Sequence, residues 1–316
     1  MSDDTVKARQ ARMLRTAMGP AIAGALEEPD VVEVLLNPDG LLWVDRLSAG
    51  RSPLGLSLSR SDAERIIRLI ASHVGVEVHA GAPVLSAELP ETGERFEGML
   101  PPIAEFPIFA IRKRAAGVIP LEIYVRTGVI TADQYEVLRS AIRNRLNILV
   151  AGGTTSGKTT FVNALLQEMA NTDSRVIVLE DTRELQCAAQ NHVALRTKPG
   201  VVSLTELVRS TLRLAPDRIV VGEVRGPEAL DMLKAWGTGH PGGISTIHAG
   251  SAHGALRRLE QLIQEAVITV PRALIAETIN LIVFLIGRGR SRRVKELVRV
   301  TGLTADGYVL EPADKL

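Results

Sequence analysis

The chain has 316 residues, enough for two domains of ordinary size, and 46% of them are hydrophobic. Its 37 basic and 36 acidic residues give a net charge of +1, and 3% of its residues are aromatic, so composition does not favour a nucleic-acid-binding protein. No stretch reaches the run of about 18 uncharged apolar residues that a membrane span needs, and no signal-peptide pattern is present, so we expect a cytoplasmic protein. The single cysteine, Cys187, excludes an intrachain disulfide and a multi-cysteine zinc site.

An amphipathic helix is predicted at about 6–26. Its apolar stripe includes Leu14, Met18 and Ile22. The opposite face carries three arginines, which are Arg9, Arg12 and Arg15. A basic amphipathic helix is compatible with a membrane surface, but this stripe is rich in alanine and small in area. That pattern favours packing on its own domain or on a neighbouring subunit.

Residues 1–116 are predicted to form a smaller α+β domain. A turn at 37–40 joins two strands, Ser61 and Glu64 form a capping box that opens a helix, and three more strands follow. This order of elements predicts an antiparallel sheet.

Three cations end the last strand of that domain: Arg112, Lys113 and Arg114. Cations at a strand end usually form a solvated edge, but they could also reach a phosphate held by another domain. Composition alone leaves both interpretations open. Residues 117–131 then resemble a linker with short contacts.

Residues 132–316 are predicted to form a second domain, which begins with a capping box of Thr131 and Gln134. Helices alternate with four short apolar strands, at 147–151, 175–179, 218–222 and 243–247. Two closing strands are predicted near 281–285 and 293–300. This alternation is typical of an α/β fold whose parallel sheet is covered on both faces.

The turn between the closing strands is basic and holds Arg288, Arg290, Arg292 and Arg293. Such a turn is usually the solvated tip of a hairpin. Contact with lipid or nucleic acid is the alternative.

The segment 147–161 resembles a buried strand, a glycine-rich turn and the start of a helix. Within it, Gly152, Gly157, Lys158 and Thr159 fit the pattern G-x-x-x-x-G-K-[ST] of a phosphate-binding loop. In such a loop the backbone N–H groups point at phosphate oxygens, the lysine reaches the β- and γ-phosphates, and the threonine holds Mg²⁺. The predicted ATP-binding residues are Gly152, Gly153, Thr154, Thr155, Ser156, Gly157, Lys158, Thr159 and Thr160.

Two predicted strands end in acidic residues. Hydrolysis of ATP needs one acidic group near Mg²⁺ and one that orients or deprotonates the attacking water. Glu223 directly follows an apolar strand, so we assign it to the water. We assign the metal shell to Thr159, Asp181 and Glu184. Two other acids, Glu180 and Glu228, fit a capping role.

His240 and His248 bracket the fourth parallel strand. Their spacing does not match a zinc site, and no thiol ligands accompany them. A lone histidine is more often structural than catalytic. A neutral histidine at a strand end can nevertheless hydrogen-bond a γ-phosphate or its water.

Four segments together resemble a known family: the phosphate loop, Glu180–Glu184, Gly222–Arg225 and Gly239–Ala249. They resemble the Walker A, Asp box, Walker B and His box of VirB-type traffic ATPases, and most closely those of conjugative transfer systems. Phe109–Lys113 resembles the loop by which the N-terminal domain of these proteins reaches nucleotide. The likeness spans almost the whole chain.

The resemblance implies a RecA-like P-loop C-terminal domain and a PAS-like N-terminal domain. It implies a homohexamer at the cytoplasmic face of the inner membrane, which hydrolyses ATP with Mg²⁺ beside inner-membrane components of a type IV secretion apparatus. Peripheral membrane contact is compatible with this location, and no sequence-specific nucleic acid is expected. The residues it implicates are Glu223 as catalytic base, Lys158, Glu184, His240 and His248, with Arg112, Arg183 and Arg225 as candidates for reaching phosphate.

Other classes of motor remain open at this stage. A motor of type II secretion or type IV pili is one alternative, although one cysteine cannot form the four-cysteine zinc module usual in many of them. A RecA-like DNA translocase or helicase is another, and the neutral charge and scarce aromatic residues argue against it. Glu223 argues against a scaffold that binds nucleotide without turnover.

Overall fold

The computed structural model describes residues 3–90, 92–114, 117–170 and 172–313, without the side chains of 3–8, 10, 11 and 290. The chain divides into two compact units, 1–116 and 117–316. Ala115 and Ala116, at the predicted domain boundary, lie outside the described residues. No helix within the described ranges is both long enough and apolar enough to cross a bilayer.

Unit 1 packs two helices on an antiparallel sheet, as its sequence predicts. The helices are α1 (Asp3–Glu27), kinked at Gly19, and α2 (Arg60–Val74). The strands are β1 (Val31–Leu36), β2 (Leu41–Arg46), β3 (Gly50–Ser57), β4 (Val84–Glu88), β5 (Arg95–Met99) and β6 (Ile108–Arg112), in the order β3-β2-β1-β6-β5-β4. The apolar stripe of α1 lies in the core of this unit, so α1 packs on its own domain.

The start of α2 differs from the predicted capping box. Its N-cap residue is Ser59, not Ser61, and the Ser59 side chain accepts a hydrogen bond from the Asp62 N–H at 3.1 Å. The helix therefore begins two residues earlier than a Ser61 cap would allow.

Unit 2 is an α/β domain built on an eight-stranded sheet in the order β14-β13-β12-β7-β11-β10-β8-β9. Its strands are β7 (Ile148–Gly152), β8 (Val176–Glu180), β9 (His192–Arg196), β10 (Arg218–Val221), β11 (Ile244–His248), β12 (Leu281–Ile286), β13 (Arg293–Thr304) and β14 (Gly307–Pro312). Its helices are α3 (Leu121–Arg126), α4 (Ala132–Arg143), α5 (Lys158–Gln167), α6 (Leu204–Thr211), α7 (Glu228–Gly237), α8 (Ala252–Gln264) and α9 (Arg272–Thr278). The strands from β12 to β9 are parallel, and β13 and β14 extend the sheet as antiparallel strands.

Helices cover both faces of this sheet. Successive residues of β7 alternate between two apolar clusters, with Leu149 in one cluster and Ile148 and Val150 in the other. All five residues of β7 are buried. The capping box that opens α4 is formed as predicted.

The segment 117–131 differs from the predicted linker. It contains α3, whose Leu121 and Tyr124 are buried in the same cluster as Phe161 of α5. The Tyr124 and Phe161 rings meet edge to face, with their centroids 5.3 Å apart. Because these apolar side chains need a core to cover them, the segment groups with unit 2.

Candidate active site

The phosphate loop follows β7, which lies between β11 and β12 in the sheet. Gly152, the last residue of β7, has no room for a side chain. A Cβ atom there would lie 2.5 Å from Ser156 Oγ and 2.7 Å from the carbonyl oxygen of Leu285. The tight turn into α5 therefore requires glycine at this position.

The loop backbone enters the left-handed region twice. The φ angle is 63° at Thr155 and 88° at Gly157, the N-cap residue of α5. Such a sequence of conformations points N–H groups into a concave nest, here at the positive end of a helix, and this geometry binds phosphate. The structure brings the nine residues predicted to bind ATP, 152–160, together in this loop and the first turn of α5.

Lys158 folds back into the loop and is only 7% exposed. Its Nζ donates hydrogen bonds to the carbonyl oxygens of Gly152 at 3.0 Å and Gly153 at 3.1 Å. It also lies 3.4 Å from Nδ1 and 3.5 Å from Nε2 of His248. A buried ammonium beside a nest of N–H groups suits a polyphosphate anion.

Glu223 follows β10 and contacts two basic side chains. Its Oε1 lies 2.7 Å from Nε2 of His248, the last residue of β11. Its Oε2 accepts a hydrogen bond from Arg225 Nε at 2.7 Å and another from Arg225 Nη2. The carboxylate is 17% exposed. His248 therefore connects Glu223 with Lys158, the cation of the phosphate loop.

Thr246 of β11 fixes the backbone on both sides of Glu223. Its hydroxyl donates to the Gly222 carbonyl at 2.8 Å, and its carbonyl accepts from the Val224 N–H at 3.0 Å. Thr246 is 2% exposed. Sequence reasoning missed this residue, although a hydroxyl inside a buried strand two residues before His248 was an available signal.

The segment after β8 is attached to α5 by Asn163. The Asn163 amide donates to the Glu184 carbonyl at 3.0 Å and accepts from the Gln186 N–H at 2.8 Å. Glu180 Oε1 accepts from the N–H groups of Glu184 at 2.9 Å and Leu185 at 2.8 Å. These N–H groups belong to a loop, so Glu180 orders the loop and does not cap a helix as predicted. Asn163, also missed by sequence reasoning, thus couples this acidic segment to the helix that begins at the phosphate loop.

Asp181 lies near Glu223 because both carboxylates contact Arg225. Its Oδ2 is 3.9 Å from Arg225 Nη1, and its Oδ1 accepts from Thr197 Oγ1 at 2.9 Å. Glu228, the first residue of α7, accepts through Oε1 from the N–H groups of Arg225 at 2.7 Å and Gly226 at 2.9 Å, both of which precede the helix. Arg183 is exposed in the segment after β8.

The predicted metal ligands are oxygen donors: the Thr159 hydroxyl and the carboxylates of Asp181 and Glu184. The described residues contain no cluster of three or more His, Cys, Asp or Glu side chains arranged to hold a metal. Mg²⁺ is usually bound by one or two carboxylates together with substrate phosphates. This donor set therefore fits Mg²⁺ that is shared with a nucleotide.

His240 does not contact the phosphate loop in this unit, which corrects its predicted role there. Its Nδ1 lies 2.7 Å from the carbonyl oxygen of Pro216, which precedes β10. β11 runs parallel to β7, and its last residue, His248, is paired with Gly152. His240 precedes the first residue of β11, whereas the phosphate loop lies beyond the last residue of the parallel strand β7. His240 is therefore at the opposite end of the strands, about 13 Å or more from the loop at the rise of a β-strand.

Arg112 is the last residue of β6 in unit 1. Its two neighbours are engaged within that unit: Lys113 Nζ donates to the Glu28 carbonyl at 2.7 Å, and Arg114 Nη2 lies 3.7 Å from Glu88 Oε1. The reach of Arg112 toward a nucleotide stays a prediction.

Comparison with known proteins identifies the family of this chain. A model of the family described as "Type II/IV secretion system protein" matches residues 86–294. The probable conjugal transfer protein TrbB of Sinorhizobium fredii is 48% identical over 305 residues, covering 96% of this chain and 93% of the relative. The type IV secretion system protein PtlH of Bordetella pertussis is 35% identical over 319 residues, covering 89% of this chain and 93% of the relative.

The fold is also found in a solved structure. The ATPase DotB of Legionella pneumophila superposes with a TM-score of 0.62 at 18% identity, over 93% of this chain and 79% of that one. At this identity the likeness concerns the fold alone. The family model and the two relatives show that the chain belongs to the type II/IV secretion system protein family, the secretion traffic ATPases that its motifs resemble.

Proposed function

We propose that this protein hydrolyses ATP, with Mg²⁺, to power a conjugative type IV secretion apparatus. The observation that supports the proposal most directly is a series of side-chain contacts that links the phosphate loop to a carboxylate. Lys158 Nζ lies 3.4 Å from His248 Nδ1, and His248 Nε2 lies 2.7 Å from Glu223 Oε1. A phosphate-binding cation and a candidate base are thus connected through one histidine.

Each residue has a role in this proposal. The N–H groups of the loop and Lys158 bind the phosphates, and Glu223 orients the attacking water and accepts its proton. His248 contacts both Lys158 and Glu223, so it positions the base relative to the γ-phosphate. Arg225 and Arg183 supply positive charge near the acids, and Arg112 is a further candidate for reaching phosphate.

Mg²⁺ would be held by Thr159, Asp181 and Glu184, where it offsets the charge of the phosphates. We further propose that six copies form a ring at the cytoplasmic face of the inner membrane, next to membrane components of the apparatus. The support for this arrangement is the similarity to conjugal transfer and type IV secretion proteins over nearly the whole chain.

Replacing Glu223 by glutamine tests the proposed hydrolysis. Glutamine keeps the size of the side chain and can still contact the water, but it cannot take the proton. We expect E223Q to lower the turnover number by about 10²–10⁴-fold, while the affinity for ATP stays the same or rises. The measurements are steady-state ATP hydrolysis and calorimetric ATP binding.

E277Q is the matched control, because Glu277 is an exposed acid on α9. It should hydrolyse ATP at the parental rate. Loss of ATP binding in a folded E223Q would instead make Glu223 a metal or structural residue. A parental rate in E223Q would show that the base lies elsewhere.

A further inference from the structure

One arginine of the basic turn between β12 and β13 lies against the phosphate loop. A Cβ atom built at Gly157 would be 2.5 Å from Cζ and 2.6 Å from Nε of Arg292. The sequence predicted a solvated hairpin tip for this turn. The parallel pairing of β12 with β7, which matches Leu285 with Gly152, instead places the turn beside the phosphate loop.

The position of Arg292 is fixed from two sides. The Val294 N–H, two residues later, donates to the Val129 carbonyl at 2.8 Å. The guanidinium also lies close enough to Tyr124 of α3, a residue only 3% exposed, to act electrostatically on its hydroxyl. Burial raises the pKa of the Tyr124 hydroxyl to about 12, and the positive charge of Arg292 offsets part of that rise.

Arg292 has a donor that the described residues leave unused. Its Nε is buried and finds no hydrogen-bond acceptor among them. A buried N–H without an acceptor is costly, and a guanidinium presents its donors in a planar fork that matches phosphate oxygens. The nearest feature built for an anion is the nest of N–H groups that includes Gly157.

The order of strands indicates which part of a nucleotide Arg292 faces. Glu223 and His248 lie on the β10 and β11 side of β7, whereas Arg292 follows β12 on the other side. Water attacks the γ-phosphate, so the γ-phosphate belongs on the side of Glu223. The remainder of the nucleotide then extends toward Arg292.

We propose that Arg292 binds the diphosphate portion of the nucleotide, the part that ATP and ADP share. The proposal rests on the proposed function, because it places the γ-phosphate next to Glu223. It adds a binding residue, remote in sequence from every nucleotide motif, that completes the phosphate site from the β12 side.

Affinities for ADP and for a non-hydrolysable ATP analogue, measured by calorimetry on the full chain, test this proposal. We expect R292A to weaken both ligands by a similar factor of about 10–100, the range for a hydrogen bond to a charged group. R292K keeps the charge without the fork and should recover part of the affinity. R293A is the matched control, because Arg293 is the exposed next residue, at the start of β13, and it should bind within about twofold of the parent.

If R292A folds poorly, the same affinities are measured on R292Q, because glutamine keeps part of the packing but removes the charge. The melting temperature without nucleotide should change little in R292Q. Parental affinity for ADP in a folded R292A or R292Q would overturn the proposal, and so would a loss confined to the ATP analogue. If the parent binds ADP but does not hydrolyse ATP, the proposed hydrolysis fails while the comparison of ADP affinities still tests Arg292. A parent that binds neither nucleotide would overturn both.

Discussion

The two oxygens of Glu223 are occupied by different partners, Arg225 on one and His248 on the other. A carboxylate oxygen that already contacts another side chain has less room to accept a hydrogen bond from a water molecule. We therefore expect a bound nucleotide to draw at least one partner away before Glu223 can accept a proton. Lys158, which touches His248, is the group through which binding would be transmitted.

The Tyr124 hydroxyl makes stability depend on pH in the alkaline range. Its pKa is raised from 10.0 to about 12 by burial, so the folded state keeps the proton where the unfolded state loses it. This contribution is fully present below pH 10 and is lost as pH rises through 12. At pH 11 the loss is about 1.4 kcal/mol. The free energy of unfolding of Y124F should fall less between pH 8 and pH 11 than that of the parent, by about this amount.

Urea unfolding at the two pH values measures the difference. At pH 8 the substitution should be neutral or stabilising, because the Tyr124 hydroxyl has no hydrogen-bond partner among the described residues. Equal losses for Y124F and the parent would show that Tyr124 does not contribute to the alkaline transition.

At the scale of elements, α3 supports the helix of the phosphate loop. Its Leu121 is fully buried in the cluster that holds Phe161 of α5. Replacing a buried leucine by alanine removes apolar contacts and leaves a cavity, so L121A should lower the free energy of unfolding by about 2–5 kcal/mol. Chemical denaturation of the full chain measures this.

I119A is the control for that experiment, because Ile119 lies two residues before α3 and is 39% exposed. It should change stability by no more than about 0.5 kcal/mol. If L121A were as mild as I119A, α3 would behave as the predicted linker and not as part of the core.

The parallel strands of unit 2 other than β9 were predictable, because they are short apolar runs closely followed by glycine or a charged residue. β9 was not, since it is an edge strand whose exposed His192 and Arg196 alternate with half-buried residues. α3 was also missed, because a six-residue helix that follows Pro120 carries too little periodicity. The residues of the phosphate loop could be predicted from the spacing of glycine, lysine and threonine in the sequence. The place of Arg292 depends on which strand pairs with β7, and no local pattern encodes that choice.

At the scale of the whole molecule, the proposed ring gives E223Q a second consequence. A subunit that binds ATP without hydrolysing it should stay in its ATP-bound state and hold back its neighbours. We expect mixtures of E223Q with parental protein to lose more activity than the fraction of E223Q present. ATP hydrolysis across a series of mixing ratios measures this effect, with molecular mass determined with and without nucleotide.

A strictly linear decline in activity with the fraction of E223Q would show that the subunits act independently. A mass that remains that of a monomer with and without nucleotide would contradict the ring itself. E277Q, mixed in the same ratios, controls for dilution and exchange of subunits.

The ammonium of Lys158 acts as an internal counter-ion for the carbonyl groups of the phosphate loop. By binding the carbonyls of Gly152 and Gly153, it holds together a turn whose dipoles would otherwise repel one another. Ordering a free backbone costs about 1–2 kcal/mol per residue, and a loop that keeps its shape between turnovers avoids that cost at each encounter. When nucleotide binds, we expect phosphate oxygens to replace these carbonyl oxygens around the same lysine, without refolding of the loop.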